Sequence, residues 1–114
     1  MRSSERLEKT RLFEFLKIVD EELDRGIVLV AAGGTAMTLL DIKLSTHDID
    51  FTGPGDDISL LKRVLSRIPH GYKVDCWSDG MVFSQFLPDD YLEKSIFTKR
   101  MNRIELWALP LNVT

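Results

Sequence analysis

The sequence has little that would support a disulfide, a membrane span or a secretion signal. Its single cysteine, Cys76, excludes an intramolecular disulfide and has no Cys or His near it at metal-ligand spacing, so we expect a small buried apolar residue there. No apolar run approaches the roughly 20 residues needed to cross a bilayer. The first residues also lack a signal peptide's uninterrupted apolar segment. We therefore expect a cytoplasmic protein that does not enter membranes.

A surplus of basic residues is also absent. The formal net charge is -3 over 114 residues. This balance argues against duplex DNA as the main partner, because a large basic face is the usual footprint of such binding. A nucleotide or an RNA end stays open as a ligand. The length fits one core, so we expect residues 1–114 to form a single domain.

Hydrophobic spacing predicts alternating helices and strands. An amphipathic helix is expected over 4–25, with Ser3 or Ser4 as its N-cap and Gly26 as a left-handed terminator. The further predicted elements are a buried strand at 27–32, a short helix at 35–44, a strand at 48–52, a helix at 58–68 capped by Asp56 or Asp57, a hairpin of 72–77 with 81–86, and a strand at 104–109. The segment 87–103 fits either a helical turn through Tyr91 and Leu92 or a long loop. This order predicts an α/β or α+β sheet with helices packed on it.

Gly33 and Gly34 follow the first buried strand directly. A glycine pair between a strand and a helix lets the backbone approach a ligand closely and presents unpaired N–H groups to an anion. Phosphate is the ligand that this position favours. Taken alone, the glycines are better explained by a tight turn without a ligand, because short glycine motifs often arise by chance.

Two aspartates lie around one isoleucine in Asp48-Ile49-Asp50-Phe51. In a strand, residues two apart share a face, so both carboxylates are expected to project together while Ile49 and Phe51 enter the core. Two carboxylates held that close repel each other, and a divalent cation allows both to stay ionised. Mg²⁺ is the natural candidate, with Mn²⁺ as its substitute. A solvated strand face is the alternative, although Asp is depleted in strands.

A third carboxylate would complete such a metal site. Asp75 lies between apolar neighbours after the next helix, so its strand is expected beside the one that carries Asp48 and Asp50. Glu105 has similar surroundings and is the reserve candidate. Lys43 is another residue within reach of a phosphate, although a solvated surface position explains a lysine more often. For Trp77, a core position is favoured over base stacking.

These motifs together resemble the nucleotidyltransferase superfamily that includes DNA polymerase β. That superfamily has an apolar residue followed by Gly and Gly or Ser, then an acidic-apolar-acidic-apolar strand, then an apolar-acidic-apolar strand. The corresponding segments here are Ala32-Gly33-Gly34, Asp48-Ile49-Asp50-Phe51 and Val74-Asp75-Cys76. More narrowly, GGTAMTLLDIKLSTHDIDF is similar to the GGTAL…LL…K/R…ST…DID pattern of small prokaryotic nucleotidyltransferase-like proteins related to AbiEii-type toxin components.

The resemblance implies a nucleotidyltransferase-like mixed β-sheet flanked by helices. It implies that Gly33, Gly34 and Thr35 hold the triphosphate of a nucleoside triphosphate, although helix capping explains Thr35 equally well. Asp48, Asp50 and Asp75 would be the catalytic, metal-binding carboxylates, and the reaction would transfer a nucleoside monophosphate to a hydroxyl acceptor.

The partners that the resemblance implies are an RNA or protein acceptor and, for a toxin component, an antitoxin. Relatives of this kind often continue into a further helical segment beyond the last strand, so a fragment and a minimal form both stay open. Two other functions remain as alternatives. One is a regulatory module that binds a nucleotide or a partner without turnover, and the other is an interaction domain whose acidic strand has no chemical role.

Overall fold

The computed structural model describes residues 6–83 and 85–110 of the chain. Its four helices within those residues are α1 (Lys9–Glu22), α2 (Gly33–Leu39), α3 (Gly55–Arg67) and α4 (Tyr91–Lys94). The strands are β1 (Leu7–Glu8), β2 (Ile27–Ala31), β3 (Ser45–Thr46), β4 (Ile49–Gly53), β5 (Val74–Ser78), β6 (Met81–Val82), β7 (Gln85–Phe86), β8 (Ile96–Arg100) and β9 (Ile104–Ala108). No helix among the described residues has the length and apolar character of a membrane span.

A five-stranded mixed sheet organises the fold. Its strand order is β5-β4-β2-β9-β8. Strand β4 is antiparallel to β2 and parallel to β5, while β9 is parallel to β2 and antiparallel to β8. Two small antiparallel pairs, β1 with β3 and β6 with β7, lie outside this sheet. The expectation of a mixed sheet flanked by helices is confirmed.

The sheet buries side chains on both faces. Along β2, Leu29 and Ala31 belong to the larger hydrophobic cluster, which includes apolar residues of α1 and α3. Val30 belongs instead to a smaller cluster that includes Val82 and Tyr91. Alternate residues of a strand point to opposite faces, so α1 and α3 cover one face and the segment from β6 to α4 covers the other. A strand that is buried on both faces is apolar at successive positions, and this pattern is the one that predicted β2.

The first helix is shorter than its hydrophobic period predicts. It begins at Lys9, because residues 7 and 8 pair with β3 instead. It ends at Glu22, and the next residue, Leu23, is extended and buried in the core. The prediction that Gly26 terminates the helix is wrong, since Gly26 does not have a positive φ. The predicted caps Ser3 and Ser4 lie outside the described residues.

The predicted caps of α3 are also wrong. Neither Asp56 nor Asp57 makes a capping bond, because Pro54 is the N-cap residue and no side chain caps there. Asp57 instead accepts hydrogen bonds from the Val28 N–H at 2.9 Å and from Arg25 at 2.7 Å, and so ties α3 to β2. The Gly55 N–H donates to Asp79 Oδ1 at 2.9 Å.

Strand pairing differs from the prediction after α3. Residues 72–77 were expected to pair with 81–86, but β5 pairs in parallel with β4 and the hairpin consists of β6 and β7 alone. The loop after residue 77 is compatible with a local hairpin and with parallel pairing to β4, because parallel pairing depends on a strand that is distant in sequence. The helical turn through Tyr91 and Leu92 is present as α4. Strand β8 was not predicted, because its mostly exposed residues show no clear alternation.

A buried carboxylate joins α1 to the sheet. Asp20 is only 3% exposed, and its Oδ1 accepts hydrogen bonds from the N–H groups of Arg103 at 2.7 Å and Ile104 at 2.8 Å. These residues lie just before β9 and at its first position, so the contact fixes where the strand begins relative to the helix.

Replacing this carboxylate tests its contribution to stability. Asp20→Ala should lower the free energy of unfolding by about 2 to 4 kcal/mol, since two buried N–H groups would lose a charged acceptor. Asp20→Asn keeps an acceptor oxygen and should lose less. Urea unfolding measures both, with the exposed neighbour change Glu21→Ala as the control. A loss for Asp20→Ala no larger than that for Glu21→Ala would contradict this role.

Candidate active site

The glycine pair forms the corner between β2 and α2. Gly33 has a φ of +55°, a conformation that side chains other than glycine rarely adopt. A Cβ on Gly33 would lie 3.5 Å from Oδ2 of Asp50 and 3.1 Å from the ring of Phe83. The positive φ therefore favours glycine, and a Cβ would crowd the Phe83 ring while making only an ordinary contact with the Asp50 carboxylate. The predicted phosphate turn and the predicted acidic strand meet at this point.

Thr35 holds that corner to the acidic strand. Its hydroxyl donates to the carbonyl oxygen of Asp48 at 3.0 Å and accepts from the N–H of Asp50, also at 3.0 Å. Thr35 is fully buried. The hydroxyl therefore positions the backbone on both sides of Ile49.

Asp50 is the buried acid of the site. It is 5% exposed, and its Oδ1 accepts no hydrogen bond within the described part of the chain. Burial is the main reason that its pKa rises from the ordinary 3.8 to about 6. The charges of Asp75 and Asp48 raise the pKa of Asp50 further, while Lys73 lowers it. A buried acid without a partner is costly for a fold and marks a candidate functional site.

The other two predicted carboxylates lie around Asp50 in different ways. Asp48 directly precedes β4 and is exposed, and its charge raises the pKa of Asp50. Asp75 pairs in register with Asp50 across the parallel strands β4 and β5. The reserve candidate Glu105 lies on β9 and is bonded to Arg100 and Trp107 at 2.7 and 2.9 Å. The structure therefore brings Asp75, and not Glu105, to Asp50.

A divalent cation fits these residues if it is shared between the carboxylates and a bound phosphate. Among the described residues, no three His, Cys, Asp or Glu side chains are grouped closely enough to hold a metal ion. Mg²⁺, however, is often bound by one or two carboxylates together with water and the phosphates of a substrate. The unpartnered buried oxygen of Asp50 suits such shared binding, because its charge has no other compensation at that atom.

Lys43 is a site residue to which the sequence assigned no definite role. Helix α2 ends in a Schellman motif, in which the N–H of Asp41 donates to Thr38 and the N–H of Ile42 donates to Met37. Asp41 has a φ of +64°, which reverses the chain. As a result, the ammonium of Lys43 lies 3.7 Å from the position that a Cβ on Gly34 would take.

This placement supplies a positive charge beside the glycine turn. Helix α2 has seven residues, so its dipole alone would attract an anion only weakly. Lys43 adds a full charge there, and it forms no ion pair among the described residues. The sequence feature that could have indicated this turn is Asp41, seven residues after Gly34, because Asp tolerates the left-handed conformation that ends a helix.

Thr35 variants test the link between the corner and the strand. Thr35→Val keeps the volume of the side chain but leaves the buried N–H of Asp50 without an acceptor, so it should lower the free energy of unfolding by about 1 to 3 kcal/mol. Thr35→Ser keeps the hydroxyl and should cost clearly less. Chemical denaturation of both variants decides the matter, and equal losses would rule out the hydrogen bonds as the cause.

The raised pKa of Asp50 predicts a pH-dependent stability difference. The folded chain favours protonated Asp50, so this stabilisation is present below about pH 4 and is lost as pH rises through about 6. In metal-free buffer, the stability of Asp50→Asn relative to the unmodified chain should therefore increase from pH 4 to pH 7, by about 2 to 3 kcal/mol. Denaturant unfolding across this range measures it. Asp89→Asn, at an exposed position, is the control, and an equal increase there would contradict the assignment.

Comparison with solved structures identifies the fold. The chain is similar to the crystal structure of a proposed nucleotidyltransferase from Thermotoga maritima, with a TM-score of 0.65 and 16% sequence identity. The similarity covers 93% of this chain and 81% of the other. No protein-family model matches the sequence, and no curated protein matches it significantly. At this level of identity the similarity establishes a nucleotidyltransferase-like fold.

Proposed function

We propose that the protein is a magnesium-dependent nucleotidyltransferase that transfers a nucleoside monophosphate from a nucleoside triphosphate to a hydroxyl acceptor. The observation that carries the proposal is the buried, unpartnered Oδ1 of Asp50, on a carboxylate whose Oδ2 lies against the glycine turn. The similarity in fold and the resemblance of residues 30–52 to small prokaryotic nucleotidyltransferase-like proteins support it.

The proposed site has metal ligands and residues that contact the triphosphate. Asp48, Asp50 and Asp75 are the proposed metal ligands, and Mg²⁺ bound by them would neutralise charge on the phosphates as the reaction proceeds. Gly33 and Gly34 allow the triphosphate to approach the backbone, and Lys43 binds its oxygens as a point charge. Attractive charges on both sides of the triphosphate would hold its α-phosphorus facing an acceptor.

The proposed transfer is balanced without a further reactant. The oxygen of the acceptor hydroxyl forms a bond to the α-phosphorus, and the bond from that phosphorus to the bridging oxygen of the β-phosphate breaks. Pyrophosphate leaves and the hydroxyl proton passes to solvent. Catalysis of phosphoryl transfer depends mainly on positioning and electrostatics, so the residues that stabilise charge would account for most of the rate acceleration.

The biological setting of the proposal comes from the sequence resemblance. An RNA end or a protein hydroxyl is the proposed acceptor, and a cytoplasmic toxin paired with an antitoxin is the proposed role. Both rest on the similarity of residues 30–52 to proteins related to AbiEii-type toxin components. The mildly acidic net charge of -3 agrees with an acceptor held at one site in preference to a long duplex.

A non-catalytic nucleotide-binding module is the second candidate. It is favoured by the lack of a three-ligand metal group among the described residues and by the distance of 3.9 Å between Lys73 Nζ and Asp75 Oδ2. A lysine at that position competes with a cation for the third carboxylate. In such a module the site would bind a nucleotide without turnover.

Labelled nucleoside triphosphates distinguish the two functions. Incubation with Mg²⁺ or Mn²⁺, total RNA and cell protein should give a labelled acceptor and pyrophosphate. Asp50→Asn should reduce the rate at least about 100-fold, because it removes a charged ligand of the Mg²⁺ that offsets the negative charge of the phosphates. Asp89→Asn is the matched control and should retain the rate. Metal-dependent binding of nucleotide without a labelled product would instead support the second candidate.

A further inference from the structure

Two aromatic side chains lie next to the glycine turn. Phe83 follows β6, and the centroid of its ring lies 4.9 Å from that of Trp77 on β5, with 57° between the ring planes. The Phe83 ring is 3.1 Å from the position that a Cβ on Gly33 would take, and Oδ2 of Asp50 is 3.5 Å from the same position. The aromatic pair is therefore continuous with the candidate active site.

Phe83 is held there at a cost that its packing does not explain. It has a φ of +52°, which costs a bulky side chain roughly 1 to 2 kcal/mol. Its side chain also remains 55% exposed, so it contributes only part of the stabilisation that a fully buried phenylalanine would give. Trp77, in contrast, is half-buried and packs against the smaller hydrophobic cluster. A strained and exposed aromatic residue beside a reactive site is a candidate for ligand contact.

The groups along the turn are arranged in a way that suits one class of ligand. Lys43 lies against Gly34, the Asp50 carboxylate lies against Gly33, and the Phe83 ring lies against Gly33 as well. This arrangement offers a cation at one glycine and, at the other, a carboxylate for a metal together with an aromatic surface. A nucleoside triphosphate has matching groups, with an anionic tail, an α-phosphate and a flat aromatic base.

We propose that Phe83, backed by Trp77, is the surface on which the base of the nucleoside triphosphate stacks. This inference rests on the proposed function, because it places the nucleotide by its phosphates at the glycine turn. Stacking uses the face that every base shares, so this contact contributes affinity with little selection among bases. Purines, which offer the larger face, bind more tightly than pyrimidines.

Binding measurements on matched variants test the inference. Calorimetry with Mg²⁺ is carried out with ATP and, separately, with inorganic tripolyphosphate, which lacks a base. Phe83→Ala should raise the Kd for ATP at least about fivefold and leave the Kd for tripolyphosphate unchanged. Phe83→Tyr keeps an aromatic face and should bind ATP as the unmodified chain does.

Two further variants make the result specific to this position. Phe86→Ala removes an aromatic side chain that is 81% exposed on the same hairpin, and it should leave both Kd values unchanged. Phe83→Gly removes the ring and relieves the strain of the positive φ, so it should lose less stability than Phe83→Ala while losing ATP affinity to the same extent. A thermal melt of each variant checks the fold.

The possible outcomes are separable. Equal ATP binding by Phe83→Ala and Phe86→Ala would overturn the stacking contact and leave the proposed function standing. Tighter binding of both ligands by Phe83→Ala would also overturn it, since the ring would then be covering the phosphate corner. Failure of the unmodified chain to bind either ligand would reject the proposed function, and this inference with it.

Discussion

One threonine hydroxyl couples the two halves of the candidate site. Thr35 lies in the first turn of α2 and bonds the backbone of Asp48 and Asp50 at the start of β4. The N–H of Ala32 also donates to the carbonyl oxygen of Asp50, at 3.0 Å. These buried bonds fix the glycine turn against the acidic strand. The approach of Gly33 to the Asp50 carboxylate follows from this arrangement.

The same arrangement creates an electrostatic imbalance. Asp50 is buried, lies near two other carboxylates and has an oxygen without a partner among the described residues. Its pKa rises to about 6 as a result. A cation shared with a phosphate ligand would remove this imbalance, whereas a purely structural role would be served by a smaller, neutral residue. This electrostatic imbalance distinguishes the corner from a tight turn that has no ligand.

Local patterns predicted the parts of the fold whose causes are local. The apolar run of β2, its stop at Gly33 and the last strand at β9 were all evident, because burial on both faces and glycine's conformational freedom act over a few residues. The strand that carries Asp75 was expected beside the acidic strand, and β5 does pair with β4; the register that sets Asp75 opposite Asp50 depends on contacts across α3. The carboxylates' separation into an exposed Asp48 and a buried Asp50 depends on where β4 begins. The role of Lys43 required the helix reversal at Asp41.

A crystal structure of the protein soaked with Mn²⁺ and a non-hydrolysable nucleoside triphosphate tests the central claim most directly. We expect an anomalous peak within coordination distance, about 2.0 to 2.3 Å, of the Asp50 carboxylate, with phosphate oxygens between that ion and the backbone of Gly33 and Gly34. Density for the nucleotide elsewhere, or no metal at Asp50 at saturating Mn²⁺, would contradict the account.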